Sequence, residues 1–292
     1  MLLAALAYSD LLTQLLTTAS IAVACATLSV FVISRRWALV GEGISHSGFG
    51  GAGSVWLLML AFPSLEHATW ATYVGVILAC LMTAMAIGFL TRSGRINSDA
   101  AIGIFMVASL AWGFLSQRIF VHVRQYSPAA WDMLLFGDLN VGPQFAMGSV
   151  AMCVVVVAVV AFLGKEIIAY CFDPMMARAS GLRVGFIHYL LITLVTLTII
   201  AGACVVGSVL ITALLVLPGV AALLLSDKLR TSIGVAIGMG LVGAIGGLIV
   251  YRAKPFILPG PPIVLILFAE FLIAYAYSRL ARRVRLSPPV SL

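Results

Sequence analysis

Apolar runs long enough to cross a bilayer recur from one end of the chain to the other, and no other feature restricts its fold so severely. Cut at polar breaks, they lie near 13–34, 40–62, 70–90, 100–116, 145–164, 184–202, 205–225, 231–251 and 262–280. Inside hydrocarbon a backbone must satisfy its own hydrogen bonds, so a run of about 20 apolar residues is expected to form a helix across ~30 Å of membrane. The expectation is an all-α, polytopic transmembrane bundle of about eight or nine spans. It forms a single integral membrane domain over 1–292. Composition excludes a water-soluble chain: 63% of the residues are apolar and 9% are charged, where soluble domains carry roughly 25% charged residues.

Charge placement gives the sidedness. In the alternating arrangement Arg35, Arg36, Arg92, Arg95, Lys165, Arg178, Arg183, Lys228, Arg230, Arg279, Arg282, Arg283 and Arg285 fall on one side, and Arg118, Arg124, Arg252 and Lys254 on the other. The positive-inside rule makes the richer side cytoplasmic, with the N-terminus out and the C-terminus in. The basic tail 279–292, "RLARRVRLSPPVSL", is placed to touch anionic lipid. No basic stretch is interleaved with aromatics, so nothing supports nucleic-acid binding. The start, "MLLAALAYSDLLTQLL", lacks a basic n-region and a cleavage signal and reads as mature sequence. Cys25, Cys80, Cys153, Cys171 and Cys204 form no CxxC pair and read as small core residues. The stretch 117–144 carries Asp132 and Asp138 and is expected to be an outer loop holding a short surface helix. GxxxxGK[ST] is absent, so the chain has no ATP-binding module of that kind.

Three stretches are candidates for chemistry. In "LVGEGISHSGFG" (39–50), Glu42 and His46 are spaced i, i+4 among small residues, which puts both on one helix face. A charge at mid-membrane costs about 2.5–3.5 kcal/mol and needs a partner or a function. Carboxylate and imidazole together suit a divalent transition metal. A Glu–His hydrogen bond near the cytoplasmic face, close to Arg35 and Arg36, is an equal reading of the same pattern. His67 and His122 fall in expected outer loops and His188 near a helix end, where solvated or interfacial roles are expected. In "CFDPMMARASGLRVGF" (171–186), Asp173 reads as an N-cap, Pro174 as the first helical residue and Gly181 as a stop. This short helix over about 172–182 is either an amphipathic connector or a docking helix for a soluble partner. "VVGSVLITALLVLPGVAALLLSDKL" (205–229) carries Gly207, Pro218 and Gly219 inside an expected span. Such residues either line or flex a cavity wall or allow close helix packing. Glu270 in the last run reads as a buried carboxylate hydrogen-bonded to a neighbouring helix.

In this order the stretches resemble the permease subunits of the zinc/manganese/iron ABC importer family. The family's "GDALSHAVLPG" run is matched by "GEGISHSGFGG", its acidic-"AAIG" by "SDAAIG" at 98–103, its "FDPExAxAxGL" by 172–182 and its "VGxLLVxALLVxPAATA" by "VGSVLITALLVLPGVAA". The likeness covers roughly 20 to 275. It implies a type II ABC importer permease in a bacterial inner membrane, with no tightly bound cofactor. The transported divalent ion is manganese, zinc or iron, and ATP sits on a separate cytoplasmic ATPase subunit. The expected partners are that ATPase, a second permease chain (identical or a paralogue), an extracytoplasmic metal-binding protein and the bilayer.

The likeness carries the family's metal path onto Glu42 and His46, and its ATPase-coupling segment onto Phe172, Asp173, Pro174, Ala177 and Gly181. Gly207 and Pro218 fall on its cavity-lining or flexing helix. Two departures stand out: Glu42 replaces the usual Asp, and "FGG" at Phe49 to Gly51 replaces "LPG". The alternatives are a permease for iron–siderophore or vitamin B12 ligands, which has no need of a Glu/His pair, and a proton-coupled secondary transporter using Glu42. An intramembrane enzyme is disfavoured, since HExxH and paired aspartates are absent.

Overall fold

A computed structural model describes residues 2–62, 69–92, 97–128, 137, 143–226, 228–254 and 258–286. His67, Asp132, Asp138 and the end of the basic tail lie outside them. The described residues form ten helices and no strand: α1 (Leu2–Ser34), α2 (Val40–Ala61), α3 (Thr69–Arg92), α4 (Ser98–Arg124), α5 (Pro143–Phe172), α6 (Pro174–Ala179), α7 (Val184–Val206), α8 (Ser208–Leu225), α9 (Leu229–Ala253) and α10 (Gly260–Leu286). Eight of these are long and apolar enough to cross a membrane. The ninth long helix, α2, falls short only in hydropathy, because its first half is built of Gly and Ser. The chain is an all-α multi-pass membrane protein.

The most buried of the eight is α1, at Leu11–Ser34, which packs against α5, α8 and α9. A second group forms where α3 and α4 close on α2, and α7 joins the groups through α3, α5 and α8. Small residues set these distances. A Cβ on Gly113 of α4 would stand 2.8 Å from the Phe49 carbonyl oxygen, and one on Gly219 of α8 would stand 2.7 Å from that of Ser29. Between helices that gain little from the hydrophobic effect in lipid, such close approach is what brings van der Waals contact.

The turn out of α1 fixes where α2 begins. Arg36 adopts a left-handed φ of 58°, and Trp37 N donates to Val32 O at 2.9 Å while Arg36 N donates to Ile33 O at 2.9 Å. These two bonds are a Schellman closure of the helix end. Val40 N then donates to Trp37 O at 2.9 Å, which starts α2.

Three features differ from the sequence expectation. Helix α4 continues through Arg124 rather than ending near 116, so His122 and Arg124 lie in its last turn. Buried Phe120 supplies the apolar face there, while polar neighbours occupy the other side and mask the helical period. Gly207 is not inside a span: with φ +85° it is the single residue between α7 and α8. His188 is buried, not solvated, because α3 and α5 close over the start of α7. Cys25, Cys80, Cys153 and Cys171 are all free thiols.

Candidate metal path and coupling end

Glu42 stands in the first turn of α2 and His46 one turn later. Their neighbours on the helix are packed away: a Cβ on Gly41 would lie 3.2 Å from Leu215 Cδ1, at the middle of α8, and Gly43 faces Ile102 of α4. Ile44, Ser45 and Ser47 are buried. The pair is thus left on the unpacked face, with the Glu42 side chain 44% exposed and that of His46 17%. Because Gly41 meets the middle of α8, the start of α2 is recessed from the end of the bundle. The helix dipole stabilises a first-turn carboxylate by about 0.3–1 kcal/mol, and the exposure of Glu42 leaves its carboxylate open to water or a cation.

His46 Nε2 and Glu42 Oε1 are 3.8 Å apart, too far for a hydrogen bond. His46 Nδ1 is enclosed without a partner, and the ring lies 5.8 Å from that of Phe49. Two donors on one ion about 2.1 Å away stand ~3.0–3.4 Å apart, so a small rotamer shift brings this pair to ligating distance. No group of three or more His, Cys, Asp or Glu side chains able to hold a metal occurs among the described residues. The pair is therefore at most half of a four-ligand shell.

The other sequence candidates lie elsewhere. Asp173 Oδ1 accepts from Met175 N at 2.9 Å and Met176 N at 3.0 Å, capping α6 with Pro174 at its first turn. Gly181, at φ +85°, follows its end, and Leu182 N donates to Ala177 O at 3.1 Å. Ala177 is buried against the bundle, whereas Phe172, Met175 and Met176 are among the more exposed apolar residues. Pro218 is buried inside α8, next to the close contact of Gly219 with Ser29. Glu270 does not find the hydrogen bond expected of it: its Oε2 is enclosed and unpartnered, beside a 520 Å³ apolar cavity that includes Gly238, Met239 and Tyr277.

Four residues that the sequence reading did not connect meet at the basic end. The Arg35 guanidinium lies 4.4 Å from the Tyr170 ring centroid and 5.8 Å from that of Trp37. His188 Nε2 is 3.3 Å from the Gly88 carbonyl and Nδ1 is 2.7 Å from the Tyr170 hydroxyl. A carbonyl only accepts, so Nε2 carries the proton and, in the neutral ring, Nδ1 accepts from Tyr170. The contacts join the ends of α1, α3 and α5 to the start of α7, as strictly alternating spans require. The one advance signal was the aromatic and basic character of these helix ends.

An all-helical membrane bundle with a recessed carboxylate–imidazole pair and a capped, apolar surface helix has the form of a transport component rather than an enzyme. The family model "ABC 3 transport family" matches residues 7–278, and the chain belongs to that family. The manganese transport system membrane protein MntC of Listeria monocytogenes is 31% identical over 93% of this chain and 91% of its own length. The chelated iron transport system membrane protein YfeD of Yersinia pestis is 28% identical over 88% and 82%. Among solved structures, a chain of PsaBC from Streptococcus pneumoniae in complex with Fab superposes with a TM-score of 0.74, at 27% identity and 91% coverage of both chains. Permeases of such systems do not hydrolyse ATP; a separate subunit does.

Proposed function

We propose that this chain is a permease of an ATP-driven manganese importer, with Glu42 and His46 as the ion's contacts on its path. The observation that carries the reading is the pair itself: two donors of different chemistry, recessed in the bundle and left unpacked on one helix face. A second permease chain opposite α2 would bring its own Glu42 and His46, giving two carboxylates and two imidazoles. Carboxylate and imidazole donors without thiolate suit a divalent transition ion such as manganese, iron or zinc. The manganese systems among the relatives support the choice of manganese. A site that each chain only half completes holds its ion weakly, as conduction requires.

Helix α6 supplies the coupling. Ala177 anchors it to the bundle while Met175 and Met176 stand 77% and 67% exposed, an apolar knob suited to a groove on a cytoplasmic ATPase. The thirteen-to-four distribution of Lys and Arg supports a cytoplasmic position for this helix and the C-terminus. An extracytoplasmic binding protein delivers the ion to the opposite side, in a bacterial inner membrane. Proteoliposomes holding the permease, its ATPase and its binding protein should take up radioactive manganese only with ATP inside the cell-side compartment, and in preference to zinc and iron. ATP-independent uptake, or a preference for zinc, would contradict the assignment.

A further inference from the structure

The basic end of the bundle encloses a second polar site, separate from the Glu42–His46 pair. A cavity of about 240 Å³ is lined by Arg35, Trp37, Tyr170, Arg178, Gly185 and His188 among others. Two arginines line it from different elements, Arg35 from just past the end of α1 and Arg178 from α6. Neither is paired with a carboxylate among the described residues. Arg35 Nε is enclosed without a partner, and the group only approaches the Tyr170 carbonyl, at 3.5 Å. Arg178 is exposed and Arg35 partly buried, and the enclosed Arg35 nitrogen lacks the hydrogen bond that a buried polar group needs.

We infer that this cavity binds a phosphate oxyanion, carried by an anionic phospholipid headgroup. The chemistry agrees on several counts. Stacking on Tyr170 fixes the Arg35 plane, so its N–H edge is presented in one orientation, the arrangement with which arginine grips a phosphate. Arg178 of α6 lines the same cavity as a second cation. Val184 and Gly185 begin α7; Val184 N and Phe186 N already donate to Leu182 O and Arg183 O, so the helix contributes only the positive end of its dipole. Trp37 and Tyr170 are buried and form the inner wall of the cavity. Basic pockets between spans on the cytoplasmic side are where anionic headgroups lodge. The volume accommodates a phosphate with its glycerol linkage, with the acyl chains left in the bilayer. A lipid held there ties α6 to the end of α1, seven residues ahead of Glu42, and makes the coupling helix responsive to membrane composition.

The test uses the permease–ATPase complex in phosphatidylcholine nanodiscs, following its thermal unfolding midpoint during titration with short-chain phosphatidylglycerol or, separately, inorganic phosphate. The wild type should be stabilised saturably by phosphatidylglycerol and much less by inorganic phosphate. Arg178→Gln, at an exposed position, should need about tenfold more lipid, the loss expected for one charge-assisted contact. Arg178→Lys should fall between, and Arg35→Gln should respond least. The inference fails if phosphatidylglycerol acts no better than phosphatidylcholine, or if Arg178→Gln responds as the wild type does. An equal effect of inorganic phosphate would overturn the lipid assignment in favour of a free anion. Loss of the ATPase from Arg178→Gln with an unchanged lipid response would assign the pocket to an acidic side chain of that subunit.

Discussion

Asp173 shows how one side chain decides a local structure. Its carboxylate takes two backbone N–H groups at the start of α6, which have no intrahelical partner. Replacing it with Ala should cost about 1 kcal/mol of local stability and loosen α6 against the bundle; faster amide exchange at Met175 and Met176 is the readout, and unchanged exchange would show that the cap is dispensable. This feature was legible because an N-cap and a first-turn proline are chain neighbours. Glu42 and His46 were legible for the same reason, since i, i+4 spacing on a helix needs no knowledge of the fold. The depth of Glu42 was not, because it depends on Gly41 meeting Leu215 across 174 positions of sequence. Nor was the stacking of Arg35 on Tyr170, 135 residues away; an arginine beside a double-basic helix end looks the same whether it is solvated or held.

Among elements, the close pairs are set by glycine. Gly219→Val should force α8 away from Ser29, because the obstacle is backbone that cannot rotate aside. An overpacking loss of about 1–3 kcal/mol is expected, seen as a lowered unfolding midpoint in detergent, and an unchanged midpoint would mean that α1 and α8 slide freely. On α6 the prediction concerns a partner rather than stability. Met175→Asp with Met176→Asp should leave the purified permease folded, since both side chains are exposed, while abolishing co-purification of the ATPase. Retained co-purification would move the docking surface elsewhere. Spans were readable as apolar runs, but their ends were not: α4 runs on to Arg124 under polar residues, and the α7–α8 boundary is a single glycine.

The whole molecule is a bundle in which α2, rich in Gly and Ser over its first half, packs against α3, α4 and α8. Its small residues let the neighbours approach, and the one face they leave unpacked carries the carboxylate and the imidazole. Among the described residues the pair has no third His, Cys, Asp or Glu beside it, and on the proposed reading a second permease chain supplies the remaining ligands. The most direct measurement is manganese uptake by the reconstituted system carrying Glu42→Gln or His46→Ala, at matched permease levels and with ATPase association verified. Each variant should lose uptake by about tenfold or more, the scale of effect seen when a metal's immediate surroundings are altered, while the ATPase remains bound. Wild-type uptake in both variants would contradict the account and leave α2 as a packing helix.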